Sequence, residues 1–429
     1  MSGWSHFRHS SVLRLVAANS AWLTAERLVR ALLGLLVGAW GARYLGPANY
    51  GTLAYVLSYV ALFLPFATLS ADAIVVRNIA QQPHDAPRTL GSMLALRVAF
   101  GLLVWLLAIG GMAAFSRDRE LTALVAIVGG TLLFQAGDVV DLWLQSQTQS
   151  RRTVIAKLVA TLATAGLRIA LILAEAPLVA FAAAVLVEAA LTAGTLALTY
   201  RRFRTDHPWG ATLKDSKTLL AEAWPFVLSG CAVMLYMRID QVMIKQMLGT
   251  HELGIYAAAT TLSNFWQMVP TVLSISLAPF LARQRLEDFA RYERSVVLIF
   301  RAFFFAGVLI ALFTIVTAQW VVPALFGQAY ASAAGVLALH VTSNVFCFLG
   351  IAHSLWLVNE RRFAVRLWGT LAAGVAVVAI NVTLLPVLGV FGACVAAIVS
   401  QAIAALLINV VLDRRGLKLQ IEAITFIKA

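Results

Sequence analysis

The chain has 429 residues, of which 61% are hydrophobic and 12% charged, with a mean hydropathy of +0.85; a soluble domain is about 25% charged. No aqueous fold hides that much apolar surface, so a soluble globular protein is excluded and an all-α integral membrane protein is expected. The formal charge of +13 invites a nucleic-acid partner, but the position of the basic residues argues for membrane topology instead.

Apolar stretches long enough to cross about 30 Å of hydrocarbon at about 1.5 Å per residue predict about twelve transmembrane helices. In chain order they are 17–42, 49–71, 91–114, 121–145, 153–174, 178–200, 219–245, 254–281, 294–318, 335–358, 364–386 and 390–412. Residues 1–19 mix Ser, His and Arg with no compact apolar run, so no removable signal peptide is expected. With the N-terminus placed inside, 21 basic residues fall on cytoplasmic segments, including Arg8, Arg14, Arg77, Arg88 and Lys428. Only Arg43, Arg117 and Arg119 fall outside, which sets both termini in the cytoplasm. Cys231, Cys347 and Cys394 all lie within predicted helices, giving neither a disulfide framework nor a metal site.

Ionisable groups inside helices are expensive and mark function. In helix one, Glu26, Arg27 and Arg30 share a polar environment; Glu26 and Arg30 are spaced to pair. Arg97, Lys157, Arg301 and Arg366 lie near cytoplasmic ends and are expected to snorkel. Asp138 and Asp141 in helix four can form one acidic patch, or simply a solvated helix end. Arg168 in helix five can pair with Glu188 or Glu175, or face a cavity. The most polar interior linker, 201–218, divides the chain into an N-terminal bundle (1–200) and a C-terminal bundle (219–412), followed by a cytoplasmic tail (413–429).

Beyond that linker, Arg238, Asp240 and Lys245 fall in helix seven, and Asn264, Trp266 and Gln267 form a polar and aromatic stretch of helix eight. Such a surface suits sugars, although helix–helix hydrogen bonding accounts for Asn and Gln equally well. Pro65, Pro225, Pro270 and Pro279 are expected to kink helices two, seven and eight. The halves also repeat. Leu45-Gly46, Gly51, Ala54 and Ser58 match Leu248-Gly249, Gly254, Ala257 and Thr261, and Leu142-Trp143-Leu144 matches Leu355-Trp356-Leu357. The second offset sets Arg168 against Asn381 and Glu188 against Gln401. Both halves start on the same side, so the repeat is parallel.

Arg43-Tyr44-Leu45-Gly46-Pro47 with Tyr50-Gly51, Arg77-Asn78-Ile79-Ala80, and the run from Trp143 through Gln147 to Arg151-Arg152 form an ordered set of motifs in the first half. Arg238-Ile239-Asp240-Gln241, Leu248-Gly249, Gly254-Ile255-Tyr256, Leu325 to Tyr330, Asn381 to Pro386, Gly389 and Gly392-Ala393 follow in the second. In these motifs the chain resembles the Wzx-type O-antigen flippases, the polysaccharide-transport branch of the multidrug/oligosaccharidyl-lipid/polysaccharide (MOP) superfamily.

The resemblance implies two six-helix bundles around a central cavity that opens alternately to each side of a bacterial inner membrane. It implies an oligosaccharide on undecaprenyl pyrophosphate as substrate, and a polysaccharide polymerase and chain-length regulator as partners. Related lipid II flippases have two further C-terminal helices, for which there is no room after Leu412. Arg suits pyrophosphate through bidentate, charge-assisted bonds, so Arg27, Arg30 and Arg238 are expected to meet it. Arg168, Lys245, Asn264, Trp266 and Gln267 are expected to line the cavity. Glu26, Asp138, Asp141, Glu188 and Asp240 are candidates for ion coupling or gating.

No cofactor, catalytic triad or nucleotide-binding loop is expected; the membrane potential or an ion gradient suffices as driving force. The alternatives are a cation-coupled drug antiporter of the same superfamily, which the basic residues oppose, and a membrane polysaccharide polymerase or ligase. The latter needs a larger external loop than this sequence offers.

Overall fold

The computed structural model describes residues 3–116 and 118–425, with side chains from Glu26 onward. Arg8, Arg14, Arg117 and Lys428, used to orient the chain, lie outside the described side chains. Among the described residues there is no strand, and eleven helices are long and apolar enough to cross a membrane. One of them, Glu26–Ala61, takes in much of two expected spans, 17–42 and 49–71, joined at Gly46, whose φ of 72° and ψ of 166° are not helical. Residues with a Cβ rarely adopt this backbone region, and Pro47 immediately after it opens the next helix with no N–H to satisfy. The chain is a multi-pass membrane protein that turns many large apolar side chains outward as well as inward: Leu106, Leu107, Leu309, Val375 and Val411 are all exposed, while Phe300 and Trp356 are buried.

Several expected spans are broken by a turn. Arg119–Ser146 is interrupted by a 3₁₀ stretch, Gln135–Asp138, which re-aims Asp138 and the following helix Val139–Ser146. Thr250–Phe265 and Met268–Glu287 meet at Trp266-Gln267, with Pro270 in the first turn of the second piece. Pro65 likewise starts the short helix Leu64–Thr68, whereas Pro225 and Pro279 sit inside continuous helices.

The stretch expected as a cytoplasmic connection at 72–90 folds largely into the helix Asp72–Gln81. Its Ile74, Val75 and Ile79 pack on Leu90, Met93, Val139 and Leu219. Most of the tail is also helical, Arg414–Thr425.

Two compact units result: 1–37 with 59–231, and 38–58 with 232–429. In the second unit the tail helix is held by Asp413, fully buried, which accepts from Arg362 Nη1 at 2.7 Å and Trp356 Nε1 at 3.0 Å. Asp413 also accepts from the Gly416 N–H at 3.2 Å and shares a hydrogen bond with His353 at 3.1 Å. Further along the helix, Arg301 donates to the Ala423 and Glu422 carbonyls, and Asn409 to Gln420. The expectation that Arg301 merely snorkels is therefore corrected: its guanidinium caps the tail helix.

Burial alone would raise the Asp413 carboxyl; the hydrogen bonds from His353 and Gly416 and the charges of His353 and Arg362 outweigh it and hold the pKa below the usual range. A depressed carboxylate pKa gives stability that is present above the unfolded value of about 3.9 and is lost as pH falls through the folded value. The melting temperature of the purified protein should therefore fall on acidification below about pH 4, and Asp413→Asn should flatten that part of the profile.

Candidate functional site

In the first unit, the helix Ser150–Leu173 carries Lys157 and, about three turns on along the same face, Arg168. Lys157 Nζ lies 2.6 Å from Asp141 Oδ2 and 3.6 Å from Asp138 Oδ1, so the two aspartates presented by the broken fourth span converge on one ammonium. Arg168 Nη2 lies 2.7 Å from Glu188 Oε2 on the helix Leu178–Arg202. Arg30 Nη2 lies 2.6 Å from Glu26 Oε1, one turn away. Arg30, Asp138, Lys157 and Glu188 line one cleft of about 390 Å³ together with Gln135, Thr131 and Thr192. These charges are carried on membrane-spanning segments, where each needs a partner or water.

Of the residues expected at a site, the structure thus brings together Arg30, Arg168, Glu26, Asp138, Asp141 and Glu188. It adds Lys157, which was expected to snorkel. Arg97 was expected to do the same but is 1% exposed, and it bonds Asp72 and the Gln135 carbonyl. In both cases the side chain turns inward because a carboxylate on a neighbouring helix meets it. Arg366, by contrast, is exposed. Arg27 is exposed and makes no ion pair among the described residues.

The second unit contains a smaller cavity of about 80 Å³, lined by Asp240, Gln241, Asn264, Gln267, His340 and Ser343 among others. Asp240 accepts from the Tyr256 hydroxyl and from the Gln241 N–H at 2.7 Å. His340 Nδ1 lies 2.9 Å from Ser263 Oγ, and Asn344 donates to the Ser263 carbonyl at 2.8 Å. Gln267 Nε2 donates to Asn264 Oδ1 and Asn344 Oδ1, both at 3.1 Å.

Asn264 and Gln267 are thus joined in one network that borders the cavity, whereas Trp266 packs edge-on against Phe313 with the apolar cluster around Phe300 and Phe303. Arg238 is exposed, and Lys245 Nζ sits 4.9 Å from the Tyr55 ring centroid; neither lines the cavity. Tyr256, His340 and Asn344 were missed in the sequence, although a histidine in an apolar span is itself a signal. Asn381, the repeat counterpart of Arg168, is fully buried with no hydrogen-bond partner for its amide among the described residues.

The family model of the polysaccharide biosynthesis proteins matches residues 16–285, well over half of the chain. The chain belongs to the polysaccharide biosynthesis protein family. A search of curated proteins found no match. Among solved structures, this family member is similar to an inward-facing MATE family multidrug resistance transporter of the MOP superfamily, with a TM-score of 0.73 and 16% identity over 93% of this chain and 96% of that one. It is similar to the lipid II flippase MurJ in an inward closed conformation, with a TM-score of 0.72 and 11% identity over 94% and 91%. A MOP superfamily transporter from Pyrococcus furiosus with a binding pocket of reversed polarity gives 0.67 and 15% over 94% and 96%. At these identities the likeness establishes the fold, that of the MOP superfamily.

Proposed function

We propose that this protein is a flippase that moves an undecaprenyl-pyrophosphate-linked oligosaccharide from the cytoplasmic to the periplasmic leaflet of a bacterial inner membrane by alternating access, with no chemical step. The observation that carries the reading is the cleft holding Arg30 and Lys157, with Arg168 bound to its lining Glu188, on membrane-spanning helices of a polysaccharide biosynthesis family member. Family membership supports a saccharide cargo, and the cleft offers cations for a phosphate.

Each of these cations is held by a carboxylate, so a pyrophosphate binds by displacing Glu26, Asp141 or Glu188 and taking over its donors. Such exchange keeps the empty cleft near neutrality and makes affinity depend on both partners of each pair. The hydroxyl- and amide-bearing cavity of the second unit suits sugar. Export of a dianion from a negative interior is favoured by about 2.3 kcal/mol per charge per 100 mV, so the potential alone can drive it and no cofactor is required.

A cation-coupled drug antiporter of the same fold would present free carboxylates to its cargo, whereas Glu26, Asp141 and Glu188 are each engaged. A polymerase or ligase needs an external catalytic segment, and the longest irregular stretch among the described residues is 203–212. The polymerase and chain-length regulator enter the proposal as partners that take over the exported repeat unit.

Arg30→Ala and Arg168→Ala, at normal membrane levels, should each reduce complementation of a polysaccharide-export mutant by about tenfold or more, the effect of losing a charge-assisted contact of 1.5–3 kcal/mol. Arg27→Ala and Arg238→Ala, whose side chains lie outside both cavities, should have smaller effects. Full activity of Arg30→Ala and Arg168→Ala together would remove the cleft from the account.

A further inference from the structure

The sequence repeat at 45–58 and 248–261 has a physical counterpart that cargo binding does not use. Gly46 and Gly249 adopt nearly the same backbone, φ 72°, ψ 166° and φ 97°, ψ 176°, each as the hinge between two helices. Five residues beyond each hinge stands a second glycine, and these two glycines make reciprocal contacts. A Cβ on Gly51 would overlap the Thr250 carbonyl, and a Cβ on Gly254 would overlap the Pro47 carbonyl. Pro47 and Thr250 are themselves repeat counterparts, so the contact has local two-fold symmetry, with each helix start seated in the notch of the other.

Around this point gather hydrogen bonds from the segment 38–58 to the rest of the second unit. Ser58 Oγ donates to Gln241 Oε1 at 2.6 Å, Gln246 donates to the Tyr55 hydroxyl at 3.0 Å, and the Tyr330 hydroxyl donates to the Ala42 carbonyl at 2.8 Å. The motifs that carry the family resemblance, Tyr50-Gly51, Gln241, Leu248-Gly249, Gly254 and Tyr330, thus converge on one place. The segment is continuous in sequence, at residues 37–38 and 58–59, with chain that belongs to the first unit.

We propose that these paired glycine notches are a latch that holds the extracytoplasmic end of the transport path shut and must separate for cargo to leave. The proposal rests on the orientation and alternating access proposed above. Its logic is steric: two carbonyls seated against two glycines give a contact that is close when engaged, yet made largely of backbone. The latch can therefore part without leaving a buried charge behind. Any side chain at either notch blocks engagement, whereas one at Gly38, where an added Cβ meets no atom within 4 Å, does not.

The test uses the full chain with Cys231, Cys347 and Cys394 replaced by Ala, and Tyr55→Cys with Gln246→Cys introduced, a pair that joins the segment 38–58 to the rest of the unit and lines neither cavity, in native membranes with a short bis-methanethiosulfonate linker. With both notches intact, the pair should cross-link efficiently. Adding Gly51→Ala or Gly254→Ala should reduce cross-linking roughly tenfold, as overpacking shifts a two-state balance, at unchanged membrane insertion, while Gly38→Ala should not.

In a second arm that needs no glycine change, the cross-linked protein should lose lipid-linked oligosaccharide transport and regain it on reduction. Cross-linking unchanged by Gly51→Ala and Gly254→Ala, or transport unchanged by the cross-link, would overturn the latch. If the unlinked protein transports nothing, the flippase reading fails, while the glycine arm still decides the latch.

Discussion

Lys157→Met should abolish transport and destabilise the protein by about 3 kcal/mol, the low end of the cost of breaking a buried ion pair. The side chains of Lys157 and Asp141 are 22% and 8% exposed, and Asp138 approaches the same ammonium. Removing the cation leaves two carboxylates close together within a membrane-spanning helix, where they repel and lack solvent. The folded state then recovers only by taking up a proton or admitting water.

The companion variant separates packing from function. Lys157→Met combined with Asp138→Asn and Asp141→Asn should regain most of the lost thermal stability, because no uncompensated charge remains, yet transport should stay absent, because the cleft has lost a cation. A triple variant that transports at the normal rate would show that Lys157 only neutralises its neighbours.

The second large effect is expected at Asp413, where Asp413→Ala should cost about 3 kcal/mol and release the helix Arg414–Thr425. The estimate follows from leaving buried donors of Trp356, His353 and Gly416 unpaired, at about 1–3 kcal/mol each, offset by their partial return to water as the helix loosens. Arg362 is 43% exposed and can turn outward, so it adds little. Trypsin should then cut at Arg414, Arg415 and Lys418 in folded protein that resists cleavage when Asp413 is present. Equal protease resistance would mean that Leu419 and Ala423, which pack among Phe300, Trp356 and other buried apolar side chains, hold the helix by themselves.

What could be read from the sequence divides along a physical line. Spans are legible because about 20 apolar residues in succession serve little other purpose, and the Glu26–Arg30 pair because an i,i+4 spacing is local. Gly46 and Gly249 were visible as a repeat, and their shared backbone conformation explains why glycine stands at both. The partners of Arg97 and Lys157 were not legible: Asp72 and Asp141 lie 25 and 16 residues away, and only helix packing brings them near. Snorkelling was the local solution for these long side chains, and tertiary structure supplied a better one. The turn at 135–138 that aims Asp138 had no proline to announce it. The Tyr256, His340 and Asn344 network likewise joins three separate helical segments.

The measurement that bears most directly on the flippase reading is translocation in proteoliposomes. The protein is reconstituted with a fluorescent undecaprenyl-pyrophosphate oligosaccharide, and appearance of the sugar on the opposite leaflet is followed with and without an imposed potential. Translocation well above empty vesicles, faster when the potential drives the anion in the export direction and absent with Lys157→Met, is the expected result. Rates equal to those of protein-free vesicles, with folded wild-type protein in the bilayer, would contradict it.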